Sequence, residues 1–164
     1  MTAAYLGLGS NMGDRLENLR GAVSLLRDRG VSPVRSSRVY ETSPVGGPPQ
    51  PDYLNAVIEA DVEGSPQDLL RTCLEVEDAM GRIRRERWGP RVIDVDVLTF
   101  GDQEVDEPDL QVPHPRMHER GFVLIPLLEL DADPPLPGGR KISTVRLGAL
   151  ALGGVRPFAP PLVG

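Results

Sequence analysis

Residues 81–100 read GRIRRERWGPRVIDVDVLTF, a stretch that changes character once, from a cationic loop to a strand. Between Arg82 and Arg91 stand five arginines (Arg82, Arg84, Arg85, Arg87, Arg91) against one acid, Glu86, with Trp88 and the turn pair Gly89-Pro90. From Arg91 onward VIDVDVLTF is β-branched and apolar, and the alternation of a strand puts Asp94 and Asp96 on one face, about 6.5 Å apart along it. Like charges at that spacing repel by roughly 0.5–2.5 kcal/mol, so the pair calls for a compensating partner. A donor set of carboxylates, with no His or Cys beside it, favours a hard cation such as Mg²⁺ completed by water and phosphate oxygens. The arginines would take up the remaining phosphate charge. Each feature alone also fits a solvated strand face or a merely soluble loop; their adjacency points to a phosphate and metal site.

Working back from this stretch, Ser65-Pro66-Gln67-Asp68 starts a helix, with a capping Ser, Pro in the first turn and Asp three residues after the cap. Its apolar stripe is Leu69, Leu70, Cys73, Leu74, Val76 and Met80, and Gly81 ends it. Glu77, near its C-terminus, faces either the following arginines or a surface ion pair. Tyr53 to Val62 alternates as a strand: Leu54, Ala56, Ile58, Ala60 and Val62 form the core side, and Tyr53, Asn55, Val57, Glu59 and Asp61 the other. Tyr53 and Asn55 set an aromatic plane beside an amide, which suits either a flat heterocycle or a Tyr capping the sheet. Before them lie a strand over Val34 to Thr42 and a long Pro/Gly-rich loop, 43–52. The chain opens with a strand, Ala3 to Leu8, and a helix with Asp14 and Glu17 as a capping box. Gly7, Gly9 and Gly13 do not match a dinucleotide fingerprint, because the last gap is one residue too long.

Downstream, Gln103 to Val112 reads as a short hairpin, and two prolines fix the backbone around His114, which serves either a structural or a phosphate-facing role. Arg120-Gly121-Phe122 opens an apolar helix containing Pro126, and a further short helix is expected near Ser143 to Leu152. The order β-α-β-β-α-β with additional C-terminal helices implies an α+β, ferredoxin-like antiparallel sheet with helices packed on it. At 164 residues a single domain is expected, 1–164, with about 142–164 as a peripheral tail.

The net charge of −6 excludes general affinity for nucleic acid or an anionic membrane surface, whereas residues 82–91 alone carry +4. Cys73, the single cysteine, has no internal disulfide partner. No leader, long apolar run or lipidation pattern is present, so a cytoplasmic protein is expected. The only lysine is Lys141, and no G-x-x-x-x-G-K-[ST] occurs, which excludes a P-loop kinase.

Gly9-Ser10-Asn11, Tyr53-Leu54-Asn55, Arg87-Trp88-Gly89-Pro90-Arg91 with Asp94 and Asp96, Val112-Pro113-His114 and Arg120-Gly121-Phe122 occur in one order. Together they resemble the 6-hydroxymethyl-7,8-dihydropterin pyrophosphokinase family over residues 2 to about 140. The resemblance implies transfer of diphosphate from ATP to the pterin hydroxymethyl group, release of AMP, two Mg²⁺ ions and a monomer. It implies Asp94 and Asp96 as metal ligands, joined in catalysis by Arg82 and Arg91. ATP would be met by Glu77, Arg82, Arg84, Arg87, Trp88, Arg91, His114 and Arg120, several of them on a mobile lid. The pterin would meet Thr42, Val45, Tyr53, Asn55, Trp88 and Phe122. Leu74, Asp109 and Pro115 depart from the family pattern. A metal-dependent phosphohydrolase and a non-catalytic nucleotide-binding module are the other classes that the same residues could serve.

Overall fold

The computed structural model describes residues 1–43, 49–81, 92–145 and 154–163. Val45, Arg82, Arg84, Arg87, Trp88 and Arg91 lie outside them.

Strand β1 (Thr2–Ser10) leads into helix α1 (Arg15–Asp28), which Asp14 caps by accepting the backbone N–H of Glu17. The expected reciprocal bond is replaced: the Glu17 carboxylate pairs with Arg20 at 2.6 Å, three residues on. Strands β2 (Ser32–Ser36) and β3 (Val39–Thr42) take the place of the single strand expected over 34–42. The cause is one extra residue: Ser36 pairs with Ile58 but Tyr40 pairs with Asn55, so four residues on one side span three on the other. Ser37, fully buried within this bulge, bonds Val57 with both its backbone N–H (2.8 Å) and its hydroxyl (3.0 Å). Strand β4 (Tyr53–Val62) follows the bounds its alternation gives.

Helix α2 (Pro66–Ala79) carries the predicted cap complete, Ser65 and Asp68 each accepting the other's backbone N–H. Strand β5 (Asp94–Phe100) comes next, then the two-residue strands β6 (Val105–Asp106) and β7 (Gln111–Val112), paired as a hairpin. Helix α3 (Gly121–Leu130) is apolar apart from Glu129 and contains Pro126. In the segment expected as a short helix, Ile142–Thr144 form one 3-10 turn and residues 146–153 are outside the described set.

The main sheet is antiparallel in the order β5-β1-β4-β3-β8, with β2 also paired to β4. Within the stretch expected as a peripheral tail, strand β8 (Arg156–Ala159) extends the sheet at its edge by pairing with β3. One sheet face packs on α1 and α2 through Leu6, Leu8, Leu54, Ile58, Val95, Val97, Leu19, Leu26, Leu69 and Val76. The other packs on α3 through Val57, Leu98, Leu124 and Leu127. Val57 is therefore buried although its alternation places it opposite the main core, because the apolar helix α3 covers that face too. Leu74, expected in the α2 stripe, is 40% exposed, while Cys73 is buried as expected.

Candidate active site

The site lies where α3 stops covering its face of the sheet. Register places Asp94 opposite Gly9 and Asp96 opposite Gly7, and Gly9 in turn opposite Asn55 on β4. One row across three strands therefore reads Asp94, Gly9, Asn55, and both acids share their face with Tyr53 and Asn55. Asp94 is half-buried and Asp96 exposed. The glycines keep the floor low: a Cβ on Gly9 would sit 2.9 Å from Asn55 Oδ1 and 3.6 Å from the Tyr53 ring. Gly7 and Gly9, which as a dinucleotide motif carry nothing, acquire this use from their two-residue spacing, the same as that of the two acids across the strand pair.

Asn55 is buried, and its Nδ2 donates to Thr42 Oγ1 at 2.7 Å. This fixes the amide plane and makes the Thr42 hydroxyl the group that holds it. Phe122, at the start of α3, is half-buried, and the Arg120 guanidinium lies 5.6 Å from the centre of its ring. Tyr53 is also half-buried.

Glu77 belongs to the opposite face. It is 5% exposed, and its Oε2 accepts the backbone N–H of Val95 at 2.9 Å, the residue between the two acids. On an edge strand that N–H points away from β1, so Glu77 supplies the partner that a neighbouring strand would otherwise provide. Neither reading made from sequence, an arginine partner or a surface ion pair, describes this bond.

His114 and Arg120 approach the acids from the other side. The His114 backbone N–H donates to Leu98 O at 2.8 Å, and its Nδ1 accepts the Arg116 backbone N–H at 3.2 Å. With Nδ1 accepting, the neutral ring carries its proton on Nε2. Burial lowers the His114 pKa; the charges of Arg120 and Arg116 act in the same sense, and Asp96 opposes them. Burial and then Arg116 likewise lower that of Arg120, against Asp96, Glu119 and Asp94. Burial, then Glu77 and Asp96, push the Cys73 thiol far up, so it is no nucleophile.

A cleft of about 280 Å³ opens beside Asp96 along the free edge of β5. Leu70 on α2, the Pro108–Gln111 end of the hairpin, His114 and Pro115 line it. Sequence reasoning found His114 and noted Asp109 and Pro115 as departures, but not that a hairpin of two-residue strands would form a wall. Among the described residues no group of three His, Cys, Asp or Glu side chains gathers as a metal cage. Asp94 and Asp96 form a two-carboxylate set, which suits a hard cation whose other ligands are water and phosphate. Among the described residues no helix is long and apolar enough to cross a membrane.

Residues 5–132 match the family model described as 7,8-dihydro-6-hydroxymethylpterin-pyrophosphokinase. The chain is 47% identical over 139 residues to the 2-amino-4-hydroxy-6-hydroxymethyldihydropteridine pyrophosphokinase of Methylorubrum extorquens, covering 84% of this chain and 88% of that protein. It is 41% identical over 160 residues to the Synechocystis protein of the same name, covering 97% and 82%. A Plasmodium falciparum HPPK-DHPS crystal structure superposes with a TM-score of 0.65 at 15% identity, over 79% of this chain and 41% of that one. That likeness concerns the fold, and this chain spans about two fifths of the two-part protein. The match over most of its length, with such relatives, makes the chain a member of the 7,8-dihydro-6-hydroxymethylpterin-pyrophosphokinase family of diphosphokinases.

Proposed function

We propose that this enzyme transfers diphosphate from ATP to the hydroxymethyl group of 6-hydroxymethyl-7,8-dihydropterin, releasing AMP, in a Mg²⁺-dependent step of folate biosynthesis. The observation that supports the reading is the row Asp94, Gly9, Asn55: a carboxylate and an amide on one face, with only glycine between them. Two strand spacings separate its ends, about 10 Å, the span of a pterin and its hydroxymethyl arm reaching a polyphosphate.

Asp94 and Asp96 would hold two Mg²⁺ ions, whose bound charge neutralises the polyphosphate and lowers the pKa of the attacking hydroxyl. Asn55, its amide held by Thr42, reads the pterin edge, and Tyr53 and Phe122 supply the ring faces. His114 donates Nε2–H to a phosphate oxygen, and Arg120 offers its guanidinium beside it. The cleft walled by Leu70 and residues 108–111 suits the nucleoside. Glu77 acts on ATP through β5: by bonding Val95 it sets the strand on which both acids ride. Arg82, Arg84, Arg87, Arg91, Trp88 and Val45 enter on the family resemblance, as the lid and the second pterin wall. The hydroxyl oxygen then attacks the β-phosphorus, its proton passing to water, while the bond from that phosphorus to the AMP oxygen breaks in line. Positioning of this kind supplies effective molarities of about 10⁵ M or more. The enzyme is proposed to act as a cytoplasmic monomer.

The test is AMP release from Mg-ATP with and without hydroxymethyldihydropterin. The reading requires AMP formation to depend on the acceptor; free phosphate formed at an equal rate without pterin would assign a phosphohydrolase instead.

A further inference from the structure

The family match ends at residue 132, yet the chain beyond it returns to the sheet. Strand β8 sets Arg156 opposite Glu41 on β3, and Glu41 lies opposite Leu54, whose side chain faces α1 and α2. Behind the sheet, away from Asp94 and Asn55, two arginines and two carboxylates close a quartet. Arg156 Nη2 donates to Glu41 Oε1 and to Asp52 Oδ2, both at 2.7 Å. Arg15 Nη1 donates to Glu41 Oε2 at 2.8 Å and to the Asp52 carbonyl at 2.9 Å. The same arginine lies 5.4 Å from the ring centre of Phe158 on β8. Arg15 first, then Arg156, holds the Glu41 carboxyl below its usual range against the effect of burial. Asn11 Nδ2 binds the next stretch of chain, donating to Gln50 Oε1 at 2.8 Å and Pro51 O at 3.0 Å.

Glu41 and Asp52 are the immediate neighbours of Thr42 and Tyr53, and Thr42 in turn holds the Asn55 amide. We propose that Arg156, acting with Arg15 through Glu41 and Asp52, is a positioning residue that sets the pterin-binding groups Thr42, Tyr53 and Asn55 from behind the sheet. The inference rests on the pterin assignment above. It makes the C-terminal strand a determinant of acceptor affinity, although no residue of the quartet lies on the substrate face. Ion pairs as exposed as that of Arg156 contribute little to global stability. Their effect therefore falls on local geometry.

The test is steady-state kinetics of wild type, R156A, R156K, E41Q and the R156A/E41Q double variant, varying pterin and Mg-ATP in turn, with melting temperature alongside. R156A should raise KM for pterin about three- to fivefold, with kcat and KM for ATP within about twofold. R156K, which keeps the charge but not the fork, should fall between wild type and R156A. The double variant should be no worse than the worse single one, because both break one unit. An unchanged pterin KM in R156A and E41Q, or equal rises in KM for both substrates, would overturn the proposal while leaving the function intact. Wild type without acceptor-dependent AMP release would overturn both. Should R156A fold poorly, E41Q and R156K still decide the matter.

Discussion

On one side of the sheet the strands present Leu6, Leu8, Leu54, Ile58, Val95 and Val97 to α1 and α2; on the other, the same strands present Gly7, Gly9, Asn55, Asp94 and Asp96. Alternation along each strand makes this division possible, since neighbouring residues serve different faces without sharing contacts. The first face is apolar and filled. Among the described residues, the second is filled where Val57 and Leu98 pack with α3, Met117 and Leu136, and it changes to glycine, amide and carboxylate at one end. Stability and chemistry are therefore separable by substitution to an unusual degree, except where a side chain reaches from one face to serve the other.

The sharpest way to break the comparison is Asp96→Ala, an exposed side chain on the chemical face. Loss of the proposed metal ligand should reduce AMP formation by about 10³-fold or more, equivalent to about 4 kcal/mol, with the melting temperature nearly unchanged. Ile58→Ala, on the packed face and fully buried, should do the opposite: about 2–5 kcal/mol of stability lost in denaturant titration, with kcat of the folded enzyme retained. Glu77→Ala tests the exception. It leaves the Val95 N–H unpaired beneath the two acids, so stability should fall by about 1–3 kcal/mol and turnover should fall with it. The smallest effect is expected from Gly9→Ala, where the new Cβ at 2.9 Å displaces Asn55 Oδ1. Pterin affinity measured by fluorescence should weaken about tenfold, near 1.4 kcal/mol, with Mg-ATP affinity unaltered.

Much of this division was legible in the sequence. The alternation of 53–62 gave β4 its bounds, and Ser65, Pro66 and Asp68 gave α2 its start, because both signals are local. The shared face of Asp94 and Asp96 followed from the pleat alone. What escaped was non-local. A one-residue bulge at Ser37 cannot be seen until β4 is beside it, and the return of β8 to the sheet brings Arg156 to Glu41 across 115 residues, a contact no local pattern announces. The bond from Glu77 to Val95 escaped because nothing in a helix shows which strand's edge its side chain will meet. Gly7 and Gly9 were weighed against the wrong motif; their meaning lies in the register of β1 with β5, which a single strand does not reveal. The site residues Val45, Arg82, Arg84, Arg87, Trp88 and Arg91 rest on the family resemblance.

The central claim is that metal and pterin share the glycine-floored face. Mn²⁺ in place of Mg²⁺, added with a non-hydrolysable ATP analogue, tests it through paramagnetic broadening of backbone amide signals. Asp94, Val95, Asp96, Gly7 and Gly9 should broaden first in wild type, with Asn55 following, and the effect should be lost in Asp96→Ala. Broadening centred on α1 and α2, or unaltered by the substitution, would contradict the account.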